Sequence, residues 1–442
     1  MKRPPGPGTF GTLRRLAAAR GRRNEFLEGV ARQYGDVAYV RAGPTGFYLI
    51  NHPELANEAL DTHDEHFERI PGERRYSARV VDNALFASEG GFHARQRALI
   101  DPIVYGDVPS IHAKDAVEFA ARMIAPWRAG QTIDAVDTHE RMTTAFMIKV
   151  LFGEDVGEPT GRAIARALLG AIAASDAIPL APTRVPDRLP LPSKKRFRKA
   201  LDELHQLIEQ SARDGGPERP DVLSKMAGAR GSDGRGMTFE QARDEAFSLF
   251  RGQKRVASAA LSWTWYLLSQ HPEAESRFHD EIDSALGERL PTYDDIPKLP
   301  YTLMAFREAL RLYGPSWVVA RKCVAPHEVG GHVIPPGATV LISSYVHQRD
   351  PRFWADPTRF DPERFEGGVP PLATSGYFPQ GAGPKRCPGM DLLPVMAVMA
   401  LATVGRRWRL IVAPGHQVTP QATVFLSPKG GLPVMLEERG RS

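Results

Sequence analysis

The sequence predicts a mainly α-helical protein with a small β-region. Along most of the chain, apolar residues recur at intervals of three and four positions, the spacing that buries one face of a helix. Stretches with strand character are short and fall near residue 40, between residues 321 and 341, and close to the C-terminus. An apolar fraction of 42% and a charged fraction of 25% are typical of a globular protein with a sizeable core.

Local signals predict the elements before residue 92. They are a Pro/Gly-rich basic arm over 1–23, a helix over 25–34, strands over 37–41 and 46–50, and an irregular stretch over 63–92. The pair Gly43-Pro44 is a turn signal, so the two strands form a hairpin. Long irregular stretches inside compact domains are usually functional or disordered.

The longest predicted helix begins at Thr238-Phe-Glu-Gln241, which fits a capping box. If continuous to residue 270, its roughly 32 residues span about 48 Å, enough to cross the whole domain. A proline-dense loop is predicted over 178–192 and a Gly/Asp/Arg-rich linker over 214–236. The other helices are predicted over 92–104, 113–127, 138–152, 161–175, 193–213, 272–286 and 301–313.

Composition argues against several classes of protein. A net charge of +5 without runs of Lys and Arg interleaved with aromatics gives no sign of nucleic-acid binding. Cys323 and Cys387 are too far apart in sequence to suggest a disulfide, which fits a reducing compartment. No stretch approaches the roughly 18 apolar residues of a membrane span, and no apolar segment follows the basic N-terminus as in a secretory signal. We therefore expect a cytoplasmic protein without a membrane anchor.

Cys387 has the sequence context of a metal ligand. It ends a glycine-rich run, and Pro388 suits the first position of a helix whose N-terminus would favour a thiolate. Gly381, Gly383 and Gly389 would let the backbone approach a flat ligand and aim N–H groups at the sulfur. A buried structural cysteine before an ordinary helix would give the same pattern.

Three motifs together resemble the cytochrome P450 superfamily, in its soluble bacterial form: the Cys387 loop, Glu308-Ala-Leu-Arg311 and Phe360-Asp-Pro-Glu-Arg-Phe365. The resemblance implies one haem-thiolate domain over 24–442, after the arm, with haem b held by Cys387 as axial ligand. It also implies oxidation or hydroxylation of a small, largely apolar organic molecule. Gln380 and Lys385 depart from the residues that the family usually has at those positions.

The same resemblance assigns roles to charged residues. Glu308, Arg311 and Arg364 would form a buried structural network behind the haem. His93 and Arg97, four apart on a helix, and Arg321 would contact the haem propionates through charge-assisted hydrogen bonds, although solvated charges would give the same spacing. Lys385 or Arg386 would supply a further contact to a propionate or to a partner.

The segment Gly252-Gln-Lys-Arg-Val-Ala257 falls where the family ordinarily carries an acid and a threonine that relay protons during oxygen activation. Alignment places Arg255 and Val256 in those slots, and neither can relay protons in the usual way. Arg255 and Arg251 could instead clamp a substrate carboxylate, as in the resembling peroxygenase branch that uses hydrogen peroxide. Alternatively, Arg251, Lys254 and Arg255 face solvent or acidic side chains.

Pocket walls and partners follow from the resemblance alone. The family's substrate segments fall on 76–86, 248–256, 316–319 and 423–426, and their candidate pocket residues are Phe86, Arg251, Trp317, Val318 and Phe425. A packed core would show the same residue types. Basic residues near the cysteine loop predict docking of an acidic ferredoxin or flavodoxin on a monomer. Three rivals stay open: a peroxygenase, a redox-neutral dehydratase or isomerase, and a non-enzymatic haem protein.

Overall fold

The computed structural model describes residues 3–19, 22–43, 45–70, 84–176, 192–215 and 220–440. Within these ranges the chain is mainly helical. The helices are α1 Thr9–Ala18, α2 Arg23–Tyr34, α3 Pro53–Asn57, α4 Gly90–Val104, α5 Val108–Ile124, α6 Ala135–Phe152, α7 Pro159–Asp176, α8 Pro192–Gly215, α9 Val222–Gly228, α10 Phe239–Gln270, α11 Pro272–Leu286, α12 Pro300–Tyr313, α13 Ser344–His347, α14 Leu372–Ser375 and α15 Leu392–Gly405.

The helical core is built around α10. Its predicted capping box is present, because the Thr238 hydroxyl accepts from the Gln241 N–H at 3.2 Å and the Gln241 side chain accepts from the Thr238 N–H at 2.9 Å. The helix runs without a break for 32 residues. It packs against α6 and α12, and buries both Trp263 and Trp265. The predicted long central helix is therefore confirmed.

Short strands form several separate sheets. The strands are β1 Val37–Ala42, β2 Thr45–Ile50, β3 Phe67–Arg69, β4 Thr132–Asp134, β5 Val319–Cys323, β6 His327–Val329, β7 His332–Ile334, β8 Thr339–Ile342, β9 Trp408–Val412, β10 Pro420–Ala422, β11 Leu426–Pro428 and β12 Pro433–Glu438. The largest sheet has the order β1-β2-β8-β5-β3, with β2 parallel to β8 and the other pairs antiparallel. The register of β3 on β5 places Arg69 directly opposite Arg321.

Several local expectations differ from the structure. The basic arm contains the helix α1, and the expected linker contains α9, which Asp221 caps by accepting from the Ser224 N–H at 2.9 Å. The helix after the cysteine begins at Leu392, so the predicted start at Pro388 is wrong. The Gly389 N–H turns back toward the cysteine sulfur instead of opening a helix.

Some expectations fall outside the described residues. They are residues 76–83 of the first pocket segment and nearly all of the proline-dense loop at 178–192. Within the described part of the chain, no helix combines the length and the apolar character needed to cross a membrane.

Candidate functional site

The loop that carries Cys387 is closed by hydrogen bonds on both sides of the sulfur. The Cys387 N–H donates to the Gln380 carbonyl at 3.0 Å, and the Tyr105 hydroxyl donates to the Cys387 carbonyl at 2.9 Å. The Gly389 N–H points at the sulfur, with 3.4 Å between nitrogen and Sγ. The backbone thus fixes the thiol and offers it the N–H donor that the sequence predicts.

Burial raises the pKa of Cys387, although the Gly389 N–H and the charge of Arg97 act in the opposite direction. The expected help from a helix N-terminus is missing because α15 starts at Leu392. The protein alone therefore keeps this sulfur protonated near neutral pH. A bound metal cation would deprotonate it, as cations do to coordinating thiols.

A buried ion network lies on α12. Glu308 and Arg311, three residues apart, are both fully buried and make two parallel bonds, Nε to Oε2 at 2.6 Å and Nη2 to Oε1 at 2.7 Å. Arg364 Nε lies 3.4 Å from Glu308 Oε1. The three residues that the sequence grouped as one network are therefore in contact. Pairing of this kind is what makes a buried charge tolerable.

The network reaches the cysteine loop through Gln348. The Gln348 side-chain amide donates to the Arg311 carbonyl at 2.7 Å, and its oxygen accepts from the Phe378 N–H at 3.0 Å. Arg311 Nη1 in turn donates to the Gln348 carbonyl at 2.5 Å. Phe378 opens the run that ends at the cysteine, so the network fixes the loop at its start.

Cationic side chains gather beside the loop on α4 and on two strands. His93, Arg97 and Arg321 are all buried. Arg97 Nη1 donates to the Arg386 carbonyl at 3.1 Å, which ties α4 to the residue before the cysteine. Arg69 joins them from β3, donating to the Ser88 carbonyl at 3.1 Å. Protein carboxylates already balance part of this charge, since Arg69 Nη1 lies 3.4 Å from Glu89 Oε1 and Arg97 Nε lies 3.0 Å from Asp101 Oδ1.

Two residues near the loop have surroundings that the sequence did not indicate. Burial, followed by the charge of Arg69, lowers the pKa of His93 to about 4, so near neutral pH this imidazole is uncharged rather than the expected cation. Lys385 Nζ lies 2.5 Å from Asp64 Oδ2 and 3.6 Å from Glu89 Oε2, and it donates to a backbone carbonyl. The ion pair with Asp64 connects the cysteine loop to the segment before β3.

The middle of α10 carries the atypical residues. A Cβ atom on Gly252 would meet no described atom within 4 Å. Lys254 pairs with Glu140 of α6, which agrees with the alternative of an acidic partner for this residue. Val256 is buried, Arg251 is partly buried and Arg255 is exposed. Burial, then the neighbouring charge of Arg255, lowers the pKa of Arg251 to about 10.

Helix α10 also touches the cysteine loop. A Cβ atom on Gly389 would lie 3.0 Å from Gln253 Oε1 and 3.7 Å from Cys387 Sγ. Gln253 Nε2 is buried and finds no hydrogen-bond acceptor among the described residues. A buried amide of this kind suits a site that receives another polar or π-bearing group.

Two of the candidate pocket segments are in contact. The Trp317 indole N–H donates to the Thr423 carbonyl at 3.1 Å, and the Leu426 N–H donates to the Pro315 carbonyl at 2.9 Å. Val318 and Phe425, both partly buried, belong to the same two segments. Phe86 belongs to the first pocket segment, and the Arg69 guanidinium lies 5.7 Å from its ring centroid.

These residues fit a haem. Within the described ranges, no group of three or more His, Cys, Asp or Glu side chains could hold a metal ion. The sulfur of Cys387, fixed by its loop, suits a metal that brings its other ligands with it. No described atom lies within 4 Å of a Cβ position on Gly252, which suits a flat ring. The buried cations Arg69, Arg97 and Arg321 form a positively charged region that suits the carboxylates of a ligand, although Arg69 and Arg97 also pair with Glu89 at 3.4 Å and with Asp101 at 3.0 Å.

Sequence reasoning missed several residues of the site. Arg69 becomes recognisable only through the register of β3 on β5, which no local pattern announces. Tyr105 accepts from Arg97 and Arg386 at 3.3 Å while it donates to the cysteine carbonyl. Its position eight residues after Arg97, directly after the end of α4, was the available signal.

Glu245, on α10, was also missed. Its carboxyl is fully buried, Oε1 accepts from the Leu85 N–H at 2.5 Å, and Oε2 has no hydrogen-bond partner among the described residues. Burial raises its pKa to about 8. The segment at Leu85 precedes α4, so this neutral carboxyl joins the long helix to the cation-bearing region.

The raised pKa of Glu245 predicts a pH-dependent stability. Between about pH 4.5 and 8 the folded protein holds a proton that the unfolded chain releases, so this group's contribution to stability declines as pH rises through that window. We expect Glu245→Gln to remove the decline, with its unfolding free energy gaining on the wild type by up to about 1.4 kcal/mol per pH unit. Urea unfolding at several pH values measures this, and Glu240→Gln, at an exposed position of the same helix, is the control. Parallel curves for wild type and Glu245→Gln would contradict it.

Comparison with known proteins supports the interpretation of this site as a haem site. A family model described as Cytochrome P450 matches residues 4–434. Cyclooctatin synthase of Streptomyces melanosporofaciens is 32% identical over 401 residues, covering 89% of this chain and 87% of that protein. Cyclooctat-9-en-7-ol 5-monooxygenase of the same organism is 31% identical over 441 residues, covering 98% and 95%. Pentalenene oxygenase of Streptomyces avermitilis is 29% identical over 397 residues, covering 88% and 87%.

Proposed function

Because the chain belongs to the cytochrome P450 family, whose members are haem-thiolate oxidoreductases, we propose that it is a monooxygenase of secondary metabolism that hydroxylates a terpenoid-like molecule. The observation that carries the proposal is the fixed sulfur of Cys387 with its Gly389 N–H donor. The names of the similar Streptomyces proteins, which refer to cyclooctat-9-en-7-ol and pentalenene, support a polycyclic and largely apolar substrate.

We assign haem b as the cofactor, with Cys387 as its metal ligand. When bound, the haem supplies the oxygen-activating chemistry. Arg97, Arg321 and His93 would hold its propionates, and Arg69 adds a buried guanidinium that supports the same role. Lys385 would contribute through its ion pair with Asp64, which keeps the loop in place. Gly389 would shape the sulfur's surroundings through its N–H.

Proton supply must differ from the family's usual acid and alcohol. Val256 has no exchangeable proton and Arg255 stays charged, so ordered water or a polar group of the substrate would carry protons past them. Gly252 would leave room for the reacting molecule, since no described atom lies within 4 Å of where its Cβ would be. The pocket wall would be formed by Trp317, Val318 and Phe425, with Phe86 and Arg251 at its other sides.

The physiological setting is part of the proposal. A cytoplasmic monomer would receive electrons from an acidic ferredoxin or flavodoxin that docks on basic residues near the cysteine loop, among them Arg95 and Arg386. The Arg386 side chain is 41% exposed beside the loop, which makes it available to such a partner. Residues 24–442 would act as a single haem-binding unit.

One observation favours a second candidate, a carboxylate-bearing substrate oxidised with hydrogen peroxide. Arg251 and Arg255 lie one turn apart on α10, and the charge of Arg255 contributes to the lowered pKa of Arg251. Two cations one turn apart on one face of a helix form a favourable environment for the carboxylate of a substrate. The candidate keeps the fold and Cys387, and changes only the substrate and the oxidant.

The experiment supplies purified holoenzyme with polycyclic terpene hydrocarbons and alcohols, and separately with a fatty acid. Each substrate is tested with ferredoxin, its reductase and NADPH, with hydrogen peroxide alone, and with no oxidant. We expect hydroxylated terpenoid in the reductase arm at a rate at least about tenfold above the peroxide arm. Faster peroxide-driven oxidation of the fatty acid would establish the second candidate. Turnover without oxidant would establish a dehydratase or isomerase, and no spin-state change with any ligand would favour a non-catalytic haem protein.

A further inference from the structure

The N-terminal region carries more than the whole net charge of the protein. Its first 24 residues contain seven Lys and Arg and no Asp or Glu, whereas the other 418 residues contain 50 basic and 52 acidic side chains. Charge is therefore distributed unevenly along the chain, with a basic N-terminal region followed by 418 residues of slightly negative net charge. Charge asymmetry of this kind indicates an anionic partner for that end.

Residues 5–7 and helix α1 of this basic region are held on the rest of the chain. The Tyr39 N–H donates to the Pro5 carbonyl at 2.9 Å, and the Arg41 N–H donates to the Pro7 carbonyl at 3.1 Å, so residues 5–7 run along the edge of β1. Helix α1 follows directly, and it packs Leu16 against a hydrophobic core cluster that includes Phe26 and Leu27. The opposite face of α1 is thus presented to the outside in a fixed orientation.

That outer face is apolar. Phe10 is 82% exposed, more than any other large hydrophobic side chain of the described residues, and Leu13, one turn further, is 61% exposed. Ala17 is exposed on the same arc, because residues three and four apart share one side of a helix. An exposed aromatic next to an exposed leucine on a fixed helix is costly in water, which indicates a partner.

A cation lies within the same arc. Arg14 is exposed beside Phe10 and Leu13, while Arg15 points inward, where it donates to Gln33 and lies over the Tyr34 ring at 5.6 Å from its centroid. We call the outward set Phe10, Leu13, Arg14 and Ala17 the α1 surface. It combines apolar side chains that can enter a lipid interface with a positive charge that attracts anionic headgroups.

We propose that the α1 surface docks the enzyme peripherally on an anionic lipid bilayer. Phe10 and Leu13 would enter the interface, Arg14 would meet lipid phosphates, and the net positive charge of the first 24 residues would supply longer-range attraction. A single convex helix with two apolar anchors suits a soft lipid interface, whereas a protein partner would need a larger matched surface. The docking does not depend on which molecule the enzyme oxidises.

The test is co-sedimentation of the full-length holoenzyme with vesicles of phosphatidylcholine alone or of an equal mixture with phosphatidylglycerol. We expect binding to the anionic vesicles only, weakened by salt. The double variant Phe10→Ser/Leu13→Ser should reduce the affinity at least roughly tenfold, and Arg14→Gln should reduce it roughly fivefold. Val369→Ser, at a side chain that is 51% exposed elsewhere on the surface, should leave it unchanged.

Several outcomes would overturn the proposal. They are equal binding to both vesicle types, no binding to either, and undiminished binding by the double variant. Retention of the wild type by double-stranded DNA or by an acidic protein, without binding to vesicles, would assign the surface to another partner. Unchanged haem spectra and melting temperatures of the variants would show that only the docking has been altered, since all three substituted side chains of the α1 surface are exposed.

Discussion

Replacing Cys387 with serine is expected to abolish the thiolate-type carbon monoxide spectrum and to bring product formation below detection. Sulfur is the only atom of this loop that can serve as a soft ligand, and the loop is built to hold it, with the Gly389 N–H at 3.4 Å from Sγ. A hydroxyl at the same position would keep the backbone contacts to Gln380 and Tyr105 but would not provide a thiolate.

Cys323 offers a matched control for this experiment. It is fully buried in a separate core cluster, on β5, and its thiol donates to the Ala325 carbonyl at 2.9 Å. Cys323→Ser keeps that hydrogen bond and should retain the spectrum of the wild type, whatever it does to the melting temperature. Haem bound by Cys387→Ser with an unchanged reduced carbon monoxide spectrum would disprove the assignment of the ligand.

Replacing Glu308 with glutamine is expected to give the largest loss of stability of the variants considered. Removing one charge of a fully buried pair leaves the Arg311 guanidinium without its counter-charge, which costs roughly 3–5 kcal/mol. Because Arg311 also donates to the Gln348 carbonyl at 2.5 Å, the damage should extend to the start of the cysteine loop. Urea unfolding of the protein and its haem content after expression measure the two effects.

An exposed ion pair provides the control for Glu308. Arg407 Nε lies 2.8 Å from Glu438 Oε1, with the two side chains 51% and 44% exposed. Glu438→Gln should change the unfolding free energy by no more than about 1 kcal/mol, because solvent screens such pairs. If Glu308→Gln lowered the free energy of unfolding no more than Glu438→Gln does, and the variant kept its haem, the network would have no structural role behind the site.

The helical framework could be predicted because its signals are local. The capping box at Thr238 and the apolar periodicity after it fix the start and the length of α10 within a few residues. The hairpin of β1 and β2 follows from Gly43 and Pro44 in the same way. The predicted start of α15 at Pro388 was wrong. A proline permits a helix to begin, but here the N–H of the next residue, Gly389, points to the sulfur of Cys387 instead.

The partners of charged residues could not be predicted from local patterns. Lys385 or Arg386 was expected to contact a propionate or a partner, and the sequence gave no sign that Lys385 also pairs with Asp64, 321 positions away in the chain. Arg69 enters the site only because β3 pairs with β5 in one particular register. Lys254 pairs with Glu140 across two helices. Such pairings depend on how elements that are distant in the sequence pack together, so the spacing of residues along the chain does not predict them.

The sequence by itself therefore determined the family, the cysteine that serves as candidate ligand, the ion network of Glu308, Arg311 and Arg364, and most helices. Short motifs and periodic burial can be read along the chain, since they reflect interactions between residues a few positions apart. Only the tertiary structure decided which cations surround the loop, that Glu245 is buried with a raised pKa, and that Phe10 is turned outward. Burial and electrostatic environment are set by elements that meet in space, so they exist only once the chain has folded.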